Sequence, residues 1–104
     1  MESVEEAEKD EQLAAALAAA TPEERQDLMC ERVLSRAAEI LETPDLDEDG
    51  NFLDHKLSSL AALRLSKTLM ADTGLEVPLV AIVEHPTPTL LGKYLAEAYE
   101  AETR

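Results

Sequence analysis

Apolar residues between Ser58 and Gly74 recur at helical rather than alternating spacing, and this stretch organises the reading of the chain. Leu60, Leu63 and Met70 lie at i, i+3 and i+10 of one stripe, and Leu65 and Leu69 widen it. Arg64, Lys67 and Thr68 can then occupy the opposite face. The pattern predicts one amphipathic helix with Leu60, Leu63 and Met70 as its buried seam. Ser58 is placed to accept a hydrogen bond from the free N–H groups of the first turn. Gly74 is placed to end the helix in a left-handed conformation that costs glycine little. Ser59 would project from the first turn, at the positive end of the helix dipole, a favourable place for a phosphate ester.

The same rules place the other elements. Thr21-Pro22-Glu23-Glu24 combines an N-cap, a proline at the first helical position and the acid of a capping box. The helix it starts should run to about Leu41. Met29, Val33, Ala37, Ile40 and Leu41 form its buried stripe, with Cys30 and Leu34 alongside. Thr43-Pro44 breaks it, and an acidic loop follows from Asp45 to Lys56, held to the core by Leu46, Phe52 and Leu53. Pro78 and Pro86 bracket a short helix of about Leu79 to Val83, with His85 as a turn residue. Thr87-Pro88 repeats the earlier start signal. The last helix should run from about Pro88 to about Ala101, with Leu90, Leu91, Tyr94, Leu95 and Ala98 facing inward. The expected fold is all-α: a bundle of three longer helices plus one short helix, with a long loop between the first two.

The domain is expected over residues 21–101. Residues 1–20 read as an acidic, Ala-rich N-terminal tail or linker, and residues 102–104 as a tail. Met1 to Glu11 is nearly all charge and is expected to be disordered or a frayed helix. Leu13 to Ala20 permits a helix but offers only Leu13 and Leu17 to a core; a linker, a docking segment and the end of a longer polypeptide all fit it.

Composition narrows the function. Hydrophobic residues make up 45% of the 104 residues but aromatics only 3%, so the core must be aliphatic. The formal net charge of −14 opposes nucleic-acid binding, which needs phosphates neutralised by Lys and Arg. No run of about 18 apolar residues exists to span a membrane. Cys30 is the lone cysteine, so no internal disulfide can form, and a reducing, cytoplasmic setting is expected. No Cys or Ser stands with a nearby His and acid, no histidines pair for zinc, and there is no Gly-rich phosphate loop. The one metal-like pattern is Asp45-Leu46-Asp47-Glu48-Asp49-Gly50, which resembles the opening of a calcium loop. Its twelfth position, where a bidentate Glu should close the shell, is the cation Lys56. An acidic, capped loop is the plainer reading. The chemistry must then be lent by something attached or bound.

From about Leu13 to Leu95 the chain resembles an acyl carrier protein domain, most closely those of modular polyketide synthases. The family pattern reads roughly G-[apolar]-D-S-L-x-A-x-x-L-x-x-x-L, then T-G-L, a V-P pair, a short helix and a [DE]-x-P-T-P turn. Lys56-Leu57-Ser58-Ser59-Leu60-Ala61-Ala62-Leu63 continues without a gap to Leu69, Thr73-Gly74-Leu75, Val77-Pro78 and Glu84-His85-Pro86-Thr87-Pro88. The lead-in Leu17 to Arg25 also looks like the segment preceding such domains.

The resemblance implies a non-catalytic carrier, expected as a monomeric domain. Ser59 would receive a covalent 4′-phosphopantetheine arm from a phosphopantetheinyl transferase using coenzyme A and Mg²⁺. Acyl or polyketide intermediates would ride on the arm as thioesters and be presented to ketosynthase, acyltransferase and other synthase domains. Leu57, Ser58, Leu60, Arg64 and Lys67 would form the docking surface, the two cations giving it local positive character. Two positions depart from the pattern: Ser58 replaces the Asp before the modified serine, and Lys56 replaces the Gly two residues earlier. These departures favour the alternative of a degenerate carrier fold that docks but is not acylated, and the intact Ser59 disfavours it. A peptidyl carrier is disfavoured by the missing Gly pair before the serine, and a calcium binder by Lys56.

Overall fold

Five α-helices and one 3₁₀ turn make up the elements of residues 10–103, the part of the chain described by the computed structural model. The helices are α1 (Glu11–Ala19), α2 (Pro22–Ile40), α3 (Ser59–Thr73), α4 (Leu79–Glu84) and α5 (Pro88–Thr103), with the 3₁₀ turn at Phe52–His55 between α2 and α3. No strand occurs among the described residues. The all-α bundle is as the hydrophobic spacing predicts.

Local signals act where the sequence puts them. Thr21 Oγ1 accepts from Glu24 N at 3.1 Å, and the Glu24 carboxylate accepts from Thr21 N at 3.0 Å, closing the capping box of α2. Ser58 Oγ accepts from Ala61 N at 3.0 Å. Gly74 closes α3 at φ 76°, in the left-handed region that glycine occupies cheaply. Thr87 Oγ1 accepts from Leu90 N at the start of α5.

The core is aliphatic around one ring. Met29, Val33 and Ala37 of α2 meet Leu91, Leu95 and Ala96 of α5, with Phe52 fully buried among them and Leu65, Leu69 and Ile82. α2 and α5 form the most extensive helix pair. Gly92 permits their close approach: a Cβ there would come within 2.6 Å of the Cys30 Cα.

Four expectations need correction. The largest concerns α3. Leu65 and Leu69 are fully buried beside Ala62 and Ser66, whereas Leu60 is 64% exposed and Leu63 40% exposed, and Met70 is half-buried. The helix carries leucines on two faces, and spacing alone chose the wrong one. The face with the small residues Ala62 and Ser66 lets the backbone pack closely. Ser66 Oγ donates there to the Val77 carbonyl.

The second concerns the N-terminal segment expected as tail or linker. Residues 11–19 form helix α1, and both Leu13 and Leu17 are buried in the main core. Two leucines suffice because polar groups secure the helix at both ends. Asp10 caps its N-terminus through Leu13 N at 3.1 Å. At the other end Arg25 donates from Nε to the Leu17 carbonyl and from Nη2 to the Ala20 carbonyl, at 3.1 and 2.9 Å. The Leu17 carbonyl also accepts from Ala20 N, so the guanidinium adds a second donor there and reaches the Ala20 carbonyl just beyond the helix end. The same guanidinium pairs with Glu100 and lies 4.8 Å over the Tyr99 ring. The acidic stretch before Asp10, expected to be disordered or frayed, lies outside the described residues, as does Arg104.

The third concerns the loop. Leu46 and Phe52 are buried as expected, but Leu53 is 52% exposed. The 3₁₀ turn points Phe52 inward, and Phe52 N donates to the Pro86 carbonyl at 2.7 Å. Thr89 holds the other side of the loop, its N and Oγ1 both donating to the Glu48 carbonyl. Lastly, Leu90 is exposed and α5 extends to Thr103, past the expected end at Ala101. Tyr94 and Ala98 are half-buried, and the Tyr94 ring stacks on His85 with centroids 4.9 Å apart.

An ionic cluster not anticipated from sequence joins α1, α2 and α3. Arg36 grips both Asp72 carboxylate oxygens at 2.8 and 3.1 Å, a bidentate arrangement with strong geometric preference. Arg32 reaches Asp72 at 3.2 Å and Asp10 at 3.1 Å. The Asp72 bond holds the Arg36 guanidinium above its usual range. The Leu13 N–H, and then Arg32, hold the Asp10 carboxyl below the usual carboxylate range.

Candidate functional site

The chain enters α3 through a sharp turn. The 3₁₀ turn ends at Lys56, whose φ of 63° and ψ of 46° lie in the left-handed region. This costs a side-chain-bearing residue roughly 1 kcal/mol relative to ordinary backbone. Leu57 then returns to the domain half-buried, Ser58 caps, and Ser59 opens the helix. The glycine of the resembled pattern falls on Lys56, so its physical reason is visible: the position needs a positive φ.

The two serines are set apart by their surroundings. Ser58 is extended backbone and its hydroxyl is engaged with Ala61 N as the cap. Ser59 is exposed at the first helical position. A group joined to Ser59 Oγ would leave the domain without displacing the cap, and an anionic ester there would lie near the unpaired N–H groups of the first turn. The residues present therefore fit a phosphodiester at this serine.

The outward face of α3 runs from Ser59 through Leu60, Leu63, Arg64 and Lys67, all exposed. No acidic residue occurs between Lys56 and Ala71. Among the described residues, ion pairs engage Arg25, Arg32 and Arg36, while Lys56, Arg64 and Lys67 make none. In a chain of net charge −14, this face is cationic and apolar. Helix α4, which packs on α3, has exposed apolar residues of its own at Leu79, Val80 and Val83. The structure thus brings Ser58, Ser59, Leu60, Arg64 and Lys67 to one surface, with Leu57 partly withdrawn. Sequence reading missed Leu63 as part of it, having assigned that residue to the core.

Other candidates resolve into structure. Asp47 turns on itself, its Oδ1 accepting from Asp49 N and its carbonyl from Gly50 N, both at 2.9 Å. Among the described residues no group of three or more His, Cys, Asp or Glu is placed to hold a metal ion. Cys30 lies half-buried against α5, its Sγ 3.6 Å from the Thr89 carbonyl. Burial, reinforced by Asp27, Glu48 and Glu31, pushes its thiol up, away from the thiolate that a reactive cysteine needs. No described helix is long and apolar enough to cross a membrane.

Comparison with known proteins shows the family of the chain. The family profile described as the phosphopantetheine attachment site matches residues 31–95, more than half of the chain. The phenolphthiocerol synthesis polyketide synthase type I Pks15/1 of Mycobacterium marinum is 39% identical over 75 residues, covering 69% of this chain and 4% of that protein. The spectinabilin polyketide synthase system protein NorC of Streptomyces orinoci is 38% identical over 88 residues, covering 82% of this chain and 4% of that protein. Among solved structures, the A1-type ACP domain from module 5 of MLSA1 superposes with a TM-score of 0.75 at 35% identity, covering 83% of this chain and 89% of that one.

The chain belongs to the phosphopantetheine-attachment family. Within it, the chain is an acyl carrier domain of the polyketide-synthase kind, a non-catalytic class whose working group is 4′-phosphopantetheine. It spans about 4% of the length of the Pks15/1 and NorC relatives.

Proposed function

We propose that this domain tethers acyl or polyketide intermediates as thioesters on a 4′-phosphopantetheine arm at Ser59 and presents them to the other domains of a cytoplasmic synthase. The observation that carries the site assignment is the division of labour between the two serines. The Ser58 hydroxyl holds the helix start, which leaves Ser59 exposed and available. When bound, the arm supplies the thiol that carries the intermediate. The protein's own residues would present that arm from a rigid helix start and raise the effective concentration of the tethered chain at each partner site. Leu57, Ser58, Leu60, Arg64 and Lys67 form the proposed docking surface, joined by Leu63. Ketosynthase, acyltransferase and phosphopantetheinyl transferase are the partners proposed for it. The domain itself is proposed to begin near Asp10, because α1 contributes Leu13 and Leu17 to the core.

The test is intact mass after incubation with a broad-specificity phosphopantetheinyl transferase, coenzyme A and Mg²⁺, beside Ser59→Ala and Ser58→Ala. Addition of one arm to the wild type and the Ser58 variant, but not to the Ser59 variant, is the expected result. Absence of addition to a folded wild-type chain, by this enzyme and by a transferase from a polyketide-producing host, would favour the non-acylated docking module.

A further inference from the structure

A cleft of about 500 Å³ opens beside the helix start, between the C-terminal end of α2, the 3₁₀ turn and the first turns of α3. Ser58, Leu60 and Ala61, the immediate neighbours of Ser59, line it. Ile40, Leu41 and Leu60 give it an apolar part; Lys56 and Arg64 give it donors and positive charge. Glu42 and Asp54 also lie on it, so its acids and cations are mixed. The two described non-glycine residues with positive φ, Glu42 at 56° and Lys56 at 63°, stand on its two walls. Backbone in that region is held there by its surroundings and is concentrated at functional sites.

The arm expected on Ser59 has matching chemistry: a phosphodiester at its root, then a branched apolar segment, then amides. A phosphodiester suits charge-assisted hydrogen bonds from Arg and Lys. We propose that this cleft is the resting site of the phosphopantetheine arm, with Arg64 and Lys56 meeting the phosphodiester and Ile40, Leu41 and Leu60 covering the geminal methyls. The inference rests on the carrier reading with Ser59 as the attachment point. It gives Lys56 and Ser58 a sense in this chain. A Lys in place of Gly adds a cation beside the ester, and a Ser in place of Asp removes an anion that would repel it. The docked arm keeps its thiol close to the domain between visits to partners, and partner contact at Leu60 and Arg64 would compete with it and release it.

The experiment compares the apo and fully loaded chain, loading being verified by intact mass, by ¹⁵N- and ¹³C-resolved NMR. The expected result is nuclear Overhauser contacts between the arm's geminal methyls and the methyls of Ile40, Leu41 and Leu60. Amide shift changes should reach Thr43, which is on the cleft but far from Ser59 in sequence. Lys56→Gln, an exposed change outside the proposed docking surface, should load, as intact mass will show, but weaken those contacts. Complete loading with shift changes confined to residues 58–62 and no contact to Ile40 or Leu41 would overturn the inference and leave the carrier reading standing. Failure to load at all would overturn both.

Discussion

Replacing Leu65 by Ala tests which face of α3 holds the fold together. Leu65 is fully buried in the core with Leu69 and Phe52, so truncation removes apolar contacts and leaves a cavity that the neighbouring helices can fill only in part. Such substitutions cost about 2–5 kcal/mol. A domain of this size has a total stability of roughly 5–15 kcal/mol, so the variant should lose a large share of it. At ~4–8 °C per kcal/mol the melting point should fall by some tens of degrees at most and by about 10 °C at least. Leu63 is the matched control. It is 40% exposed, and Ala is the better helix former, so Leu63→Ala should stay within about 1 kcal/mol of the wild type. Urea unfolding followed by far-UV circular dichroism measures both, with the shift in midpoint at constant slope as the readout. A Leu63→Ala cost equal to or above that of Leu65→Ala would refute the packing register described above.

Two further predictions address backbone strain and charge. Lys56→Gly should stabilise the chain by up to about 1 kcal/mol in the same unfolding assay, because relief of the left-handed strain outweighs the entropy glycine adds to the unfolded chain; a loss of stability would show that the Lys56 side chain makes contacts that matter more. The Asp10 carboxyl is depressed in the folded state by the Leu13 N–H and Arg32, so its stabilisation is present above the unfolded carboxylate range near pH 4 and is lost as pH falls through the lower folded value. Asp10→Asn keeps an N-cap but not the charge, so the stability gap between wild type and variant should be open at about pH 7 and close as pH falls through the lowered folded value; a gap that does not narrow on acidification would remove the Asp10–Arg32 pair from the account.

Much of this was legible before any coordinates. The cap signals at Thr21, Ser58 and Thr87 and the stop at Gly74 are local, and local chemistry decides them. The α3 register was not legible, because Leu60, Leu63, Leu65 and Leu69 place apolar groups on two faces. Only the partners, Val77 for Ser66 and Phe52 from the loop, select between them. The docking of α1 was hidden for a similar reason. Two leucines in an Ala-rich segment look like a weak amphipathic helix, and the groups that fasten it, Arg25, Arg32 and Asp72, come from other elements. The error at Leu60 and Leu63 is itself informative: leucines that fit a buried stripe but remain exposed beside Ser59 are what a docking surface requires. Lys56 was read as a departure from a glycine pattern, and the backbone shows what that departure costs.

The most direct measurement of the central claim is fragmentation mass spectrometry of the loaded wild-type chain, locating the arm within the Leu57–Arg64 peptide region. The account predicts the phosphopantetheine mass on Ser59, with Ser58 unmodified because its hydroxyl caps α3. An arm found on Ser58, in a chain that retains its helical circular dichroism, would contradict the assignment of cap and carrier to these two serines.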